Sequence, residues 1–380
     1  MRSNSRELNI LALSLDERLF EEGSGARERM RHYGEIFSSL HIMVFTRSRR
    51  RADRIAKNVL LYPLPASFSL RGLLKAVRVG SWILAGIKPN TVITSQDAFA
   101  NVVAFILKYR HRLPLRVEIH TDFLSPFFRR ESLKNRIRYH LYGWSVKHAD
   151  CIRVVSQRIR DSLHAKYEIP KSKITVLPVF ADVSRIGVAT PNIDIRRSYP
   201  RFHPLILVVA RLTREKNVGL AIEIFSRILK DFPQALLIVV GDGPERRTIA
   251  LKVQELKLSP QVRLVGWQPS VMPYYRACDA LLVTSRYEGY GRMLVEAAAA
   301  GLPIVATPVG LVGEVLRAGE SVLTFRTRQE GIRALEQVLR NRELRDHLAR
   351  AAREAVARLP DLPNYLERYR ASLLDCGRVP

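Results

Sequence analysis

Short apolar runs bounded by turn residues alternate with longer stretches of helical period from one end of the chain to the other. In the first half LNILALSL, IMVFT, TVITSQD, LRVEIHTD, CIRVVS and ITVLPVF read as buried strands. LILVVA, ALLIVVGDG, VRLVGW, ALLVTS, PIVATP and SVLTF take that part in the second half. Runs this rich in Val, Ile and Leu suit strands covered on both faces, hence parallel sheets flanked by helices. About six strands in each half predict an α/β chain of two doubly wound, Rossmann-like domains in tandem. The segment GVATPNIDIRRSYPRFHP, residues 187–204, holds three prolines and no clear period, which marks a linker. The first domain then spans 1–186 and the second 205–360. Helical pattern broken near Pro360 and Pro363 leaves a closing helix, about 361–380, to cross back onto the first domain. In open parallel sheets ligands bind outside the carboxyl ends of the strands, so the expected site is a cleft between the two domains.

Composition narrows the class. With 380 residues, 47% of them hydrophobic, the chain builds substantial cores and global disorder is excluded. No apolar run approaches the roughly 18–20 residues that span a bilayer. LNILALSL, near the start, is too short for a secretory signal and reads as the first strand. Cys151, Cys278 and Cys376 lie far apart without a CxxC pair, which suits thiols acting as small apolar fillers in a reducing cytoplasm. There is no cluster of metal ligands and no DxD pair, so neither a bound divalent ion nor another cofactor is expected. Charge is the unusual bulk property: 62 Lys and Arg stand against 36 acids, a net +26, of which +18 falls in residues 1–200. Such a field favours an anionic partner, whether nucleic acid, phospholipid headgroups or a phosphorylated substrate.

Candidate chemistry gathers at strand-to-helix turns of the second half. After LILVVA comes RLTREKN, with Arg211 behind the strand and Lys216 just ahead of a helix start. Two cations beside outward-pointing helix amides suit a diphosphate, or are merely solvated loop residues. In GDGPERR, Gly241 and Gly243 mark a tight turn and favour a structural role. The segment SRYEGYGRMLVEAAAAG places Glu288 in a loop and Glu296 inside the helix that follows, eight residues on. Gly289 and Gly291 let the main chain approach a ligand, and the amides of Tyr290, Gly291 and Arg292 face a helix start. Carboxylates accept from vicinal hydroxyls, while cations and amides receive phosphate, so a nucleoside diphosphate sugar satisfies every group. A capping carboxylate and a surface glutamate explain the acids one at a time but not the glycines between them.

The segments VVARLTREKN, VVGDGPE, VRLVGW, YYRACDALLVTSRYEGYGRMLVEAAAAGLPIVAT and GLVGEV, in this order, resemble retaining GT-B glycosyltransferases of family 4, with Glu288 and Glu296 meeting its E-x7-E pattern. The first half resembles the family more loosely, through KPNTVITSQD, EIHTD and VVSQRIRDSL, and VLPVFAD departs from its usual PNGVD. The resemblance implies that Arg211 and Lys216 hold the donor diphosphate in place of a metal, that Glu296 binds the ribose and that Glu288 binds the transferred sugar. It further implies amide contacts at Tyr290, Gly291 and Arg292, a base near Gly266 and Trp267, and a histidine, here His120, facing the donor sugar.

Two first-half turns add to this. EEGSGARERM carries Gly23 and Gly25 ahead of a basic helix, where backbone amides can meet phosphate or acceptor, or the loop is simply flexible. Residues 69–88 place Leu70, Leu73, Leu74, Val77 and Leu84 at helical spacing, with Arg71, Lys75 and Arg78 on another face and Trp82 beside them. FLSPFFRRESLKNRIRYHLYGW likewise joins aromatics to basic groups. Both suit peripheral contact with an anionic membrane at its cytoplasmic face, although any sheet-covering helix has an apolar face. The expected acceptor is a membrane glycolipid or cell-envelope polysaccharide. A nucleic-acid-binding protein would explain the charge, but no reading motif is present and the glutamate pair is left over. An epimerase or phosphorylase on the same scaffold is a third reading.

Overall fold

All six residues of β1 (Asn9–Ser14) are buried, so this strand spares neither face for solvent and is covered by helices on both. The structure is a computed structural model and describes residues 8–66, 69–87, 89–183 and 194–376. Two compact units divide between Pro178 and Val179, and the helix Leu362–Cys376 belongs to the first of them.

The first unit holds β1, β2 (Ser39–Thr46), β3 (Asp53–Ala56), β4 (Val59–Pro65), β5 (Thr91–Ser95), β6 (Leu115–Ile119), β7 (Cys151–Val154) and β8 (Ile174–Val176). Their order across the sheet is β3-β4-β2-β1-β5-β6-β7-β8, and only β3 runs antiparallel. Strands β3 and β4 escape an apolar-run reading. The first is polar and half exposed at the sheet edge; the second is interrupted by Pro63 and Pro65, beyond the stretch Val59–Leu61 that β3 pairs. Conversely, ITVLPVF stops being a strand at Val176, because Arg153 takes the carbonyls of Leu177 and Pro178 at 3.0 and 2.8 Å. Helices Leu70–Gly86, Ala98–His111 and Leu133–His148 lie side by side.

In the second unit β9 (Leu205–Val209), β10 (Leu236–Val240), β11 (Val262–Gly266), β12 (Ala280–Val283), β13 (Ile304–Ala306) and β14 (Leu323–Thr324) are all parallel, in the order β11-β10-β9-β12-β13-β14. The strand order reverses between β9 and β12, which is where a doubly wound sheet opens a crevice at its carboxyl edge. Ile206, Val208, Leu237 and Val239 pack with Ile224, Phe225, Leu335 and Val338 of covering helices to fill the core beneath.

Of the expected linker, residues 187–193 lie outside the described residues. Its remainder includes the short helix Ile195–Ser198, which is part of the second unit: Arg196 pairs at 2.7 Å with Asp279, and Asp279 also accepts from the Leu205 amide.

The reading of three filler thiols is corrected. Cys151, at the start of β7, is joined by a disulfide to Cys376, at the end of the helix Leu362–Cys376, across 225 residues of sequence. The returning helix creates this neighbourhood, so no local spacing announces it. Only Cys278 is a free, buried thiol, and burial raises its pKa. A reducing compartment inferred from unpaired thiols loses that premise.

Candidate functional site

Because β9 and β12 are neighbours, the loops that leave them lie against each other. Behind β9 the chain turns through Arg211 to the 3-10 turn Arg214–Lys216, and Asn217, at φ +49°, starts the helix Val218–Ile228 without a side-chain cap. Behind β12 it runs from Thr284 to Gly291 and into the helix Arg292–Ala300. Thr284 Oγ1 donates to the carbonyls of Lys216 and Asn217 at 3.1 and 3.0 Å, and the Arg286 amide donates to the Glu215 carbonyl at 2.7 Å. This lacing delivers Lys216 Nζ to Glu288 Oε1 at 2.6 Å, with Ser285 Oγ donating to the same oxygen at 2.9 Å. The pair is mostly buried, at 18% and 9% side-chain exposure. Arg211 is exposed in the same loop.

Glu296 is held separately. Tyr275 donates to its Oε2 at 3.0 Å, and Arg292 Nε donates to its Oε1 at 2.7 Å. Burial raises the Tyr275 pKa well above its ordinary value, and the Glu296 carboxylate raises it further, so the hydroxyl remains a donor. Arg292, expected to act through its amide, thus also uses its side chain. Both glutamates keep unused lone pairs for a ligand's hydroxyls.

The glycines sort into two roles. Gly291, at φ +81°, opens the helix Arg292–Ala300 with no side-chain cap, which leaves first-turn amides for an anion. Gly241 and Gly243 are structural, since a Cβ on either would collide with the carbonyls of Ala210 and Leu212. Gly289 and Tyr290 lie in the loop behind β12, and the Tyr290 carbonyl accepts from the Leu311 amide at 3.0 Å. Gly266 ends β11, with its carbonyl accepting from Gly241 N at 2.8 Å, and Trp267 beside it is 72% exposed.

In the first unit Gly23 has φ +76° and Gly25 opens the helix Gly25–Ile36. Ser24 caps that helix, accepting from the Arg27 amide at 3.2 Å, so one amide considered for phosphate is already occupied. His120 follows β6 at the sheet's carboxyl edge, and its Nε2 lies 3.2 Å from Glu118 Oε2.

Sequence reading passed over Thr284, Ser285 and Tyr275, which orient Lys216, Glu288 and Glu296. All three lie inside the YYRACDALLVTS stretch; polar residues at the carboxyl end of β12 were the signal for Thr284 and Ser285, whereas Tyr275, in the short helix Met272–Ala277 ahead of β12, carried none. Gly310 was passed over as well. It packs against the Tyr290 carbonyl so closely that a Cβ would collide, which explains the glycine of GLVGEV.

Two Rossmann-like parallel-sheet domains in tandem, with cations and carboxylates at a switch point, define the GT-B class of fold. Residues 194–355 match the family model of the glycosyl transferases group 1, and residues 24–179 match that of a glycosyl transferase 4-like domain, so each half carries a glycosyltransferase domain. The chain is 26% identical over 250 residues to the N-acetyl-alpha-D-glucosaminyl L-malate synthase of Bacillus anthracis, covering 64% of this chain and 63% of that protein. It is 29% identical over 189 residues to the lipopolysaccharide core biosynthesis glycosyltransferase LpsE of Rhizobium meliloti, covering 49% and 53%. The chain spans less than two thirds of the length of these curated relatives. The crystal structure of Anabaena HepE in complex with UDP and glucose superposes with a TM-score of 0.77 at 19% identity, covering 97% of this chain and all of that one.

Proposed function

We propose that this protein is a retaining, metal-independent glycosyltransferase that moves a sugar from a UDP- or GDP-linked donor to a membrane glycolipid or cell-envelope polysaccharide. The observation that carries the reading is the convergence of Lys216 and Glu288, distant in sequence, at the β9/β12 switch point, beside an uncapped helix start and a clamped Glu296. In this reading an acceptor hydroxyl bonds to the anomeric carbon on the face from which the nucleoside diphosphate departs, and the leaving phosphate helps take the hydroxyl proton. Lys216, Arg211 and the helix amides meet the charge that develops on the diphosphate. Glu288 holds the transferred sugar, Glu296 the ribose, Trp267 borders the base and His120 supports the sugar. The match to glycosyltransferase domain families supports the activity, HepE's UDP supports the donor class, and LpsE's role in the lipopolysaccharide core supports an envelope acceptor.

Contact with the inner face of the membrane belongs to the same proposal. The three adjacent helices Leu70–Gly86, Ala98–His111 and Leu133–His148 contain nine Lys and Arg and no Asp or Glu. The first buries Ala76, Gly80, Ile83 and Leu84 and exposes Leu70, Leu74 and Trp82; the last exposes Leu133, Ile137 and Trp144. Leu70 and Leu74 are thus exposed, where a helix that merely covers the sheet would turn them inward. Basic and apolar groups together on one helical layer suit an anionic lipid surface. No described helix is long and apolar enough to cross a membrane.

The test is a thermal-shift screen over nucleotide sugars, followed by product analysis with lipid extracts. A stabilising nucleotide sugar whose sugar reaches an acceptor, with transfer abolished in Lys216→Ala and Glu296→Ala, is the expected result. Wild-type turnover in both purified variants refutes the assignment, and epimerised or phosphorolysed product identifies the other scaffold chemistry. Cosedimentation with anionic but not zwitterionic vesicles checks the membrane contact.

A further inference from the structure

Glu118 is wholly buried within β6, and four donors from three elements and the adjoining turn occupy its carboxylate. Oε1 accepts from Arg116 Nη2 at 2.6 Å and from the Tyr369 hydroxyl at 3.1 Å. Oε2 accepts from Arg153 Nη1 at 3.1 Å and faces His120 Nε2 at 3.2 Å. Burial by itself would raise the Glu118 pKa, but the Arg116 and Arg153 charges outweigh it and hold the group well below its ordinary range. An ionised carboxylate has no proton to give, so the hydrogen of the contact with His120 must sit on the imidazole Nε2.

We propose that Glu118 is a positioning residue that locks His120 in the Nε2–H tautomer and leaves Nδ1 unprotonated, as a hydrogen-bond acceptor for a ligand hydroxyl. The consequence for catalysis rests on the reading of His120 as a donor-facing residue; the tautomer itself does not. A ring held this way accepts from a sugar hydroxyl instead of donating to it, so it recognises a donor that presents an O–H at this edge of the sheet. Burial lowers the His120 pKa, the pull of Glu118 opposes this, and Arg153 on β7 and Arg29 on the helix Gly25–Ile36 add to the lowering. The imidazole is therefore neutral at pH 7 and its acceptor is free of a proton.

The returning helix Leu362–Cys376 completes the device. Beyond the Tyr369 hydroxyl it supplies Ser372, which accepts from Arg116 Nη1 at 2.9 Å, and Tyr365, which accepts from Arg153 Nη2 at 2.9 Å. Both guanidinium groups also lie over the Tyr369 ring, at 4.6 and 5.1 Å. Each arginine that charges Glu118 is thus itself fixed from the other end of the chain.

Long-range nitrogen–proton NMR on the whole chain, labelled with 15N-histidine and free of substrate, reads this directly, with His120→Gln assigning the signal. A single Nε2–H species at pH 7.5 is expected. An Nδ1–H species, an averaged pair or an imidazolium overturns the proposal. In Glu118→Gln the single species is expected to give way to a mixture or to the other tautomer; an unchanged spectrum from a folded variant overturns it. Should that variant fail to fold, Tyr369→Phe decides. It keeps the ring stacked on Tyr33 at 4.4 Å but removes one donor from Glu118, so the His120 titration midpoint must move upward, and an unmoved midpoint overturns the proposal. Sugar transfer is read in neither arm, so failure of the glycosyltransferase reading and failure of this one are told apart.

Discussion

Replacing Glu288 by glutamine separates two roles that a simple loss of function confounds. In the structure Lys216 Nζ lies 2.6 Å from Glu288 Oε1, so an incoming diphosphate must share Lys216 with a carboxylate or draw it away. The amide keeps the side-chain volume and retains an oxygen for Ser285, yet removes a negative charge from a pair that water screens little. Two unit charges about 4 Å apart at an effective dielectric near 20 interact by about 4 kcal/mol; desolvation of the diphosphate and of Lys216 offsets part of this and leaves a net gain of about 1–2 kcal/mol. That is a gain of roughly five- to thirtyfold in affinity for bare UDP or GDP. Transfer moves the other way. If Glu288 holds the sugar hydroxyls in the transition state, losing charge-assisted hydrogen bonds costs about 1.5–3 kcal/mol and lowers kcat/KM roughly ten- to 150-fold. Lys216→Met supplies the contrast, because it should weaken nucleotide binding and transfer together. Titration calorimetry with the free nucleotide and initial rates with the cognate nucleotide sugar give both quantities on the same preparations. Weaker nucleotide binding by Glu288→Gln, or parallel behaviour of the two variants, would show that the ion pair is no part of a diphosphate site.

Three further outcomes follow from particular contacts. Tyr275→Phe leaves Glu296 with Arg292 alone and should reduce nucleotide affinity about fivefold, the equivalent of one net hydrogen bond of about 1 kcal/mol; unchanged calorimetric affinity rejects a ribose role for Glu296. Gly310→Ala combines φ +58° with a Cβ driven into the Tyr290 carbonyl, so it should lower the melting temperature by more than about 1 kcal/mol of destabilisation implies, and nucleotide affinity with it. Cys151→Ser, by releasing the bond to Cys376, should cost about 2–4 kcal/mol and speed amide exchange first in the helix Leu362–Cys376; uniform or unchanged exchange would mean that packing alone holds this helix.

What the sequence made legible follows from how far each feature depends on neighbours in the chain. The strands of the second unit are runs such as LILVVA and ALLIVV, buried on both faces, and their hydrophobicity announces them. β3 and β4 do not show, because an edge strand needs no continuous apolar run and two prolines break the pattern of its neighbour. The bond between Cys151 and Cys376, and the four donors on Glu118, exist only once a helix more than two hundred residues away has returned to its sheet. No local periodicity encodes that return.

The candidate site divides along the same line. Lys216, Glu288 and Glu296 stood out because a cation and two carboxylates at or just beyond strand-to-helix turns match the phosphates and hydroxyls of a nucleoside diphosphate sugar, and because their spacing resembles that of family 4 glycosyltransferases. The groups that aim them look like ordinary polar residues: Thr284 gains its role once the sheet order places β12 beside β9, and Tyr275 once the helices on either side of β12 meet. It is the reversal of strand order, not any one motif, that turns two loops 72 residues apart into one surface. A held cation, held acceptors and an uncapped helix start at that point are arranged before a ligand arrives, and electrostatic stabilisation of a departing diphosphate depends on such prior arrangement. A chain with the same charged residues but with β9 and β12 separated in the sheet would retain the motifs and lose the chemistry.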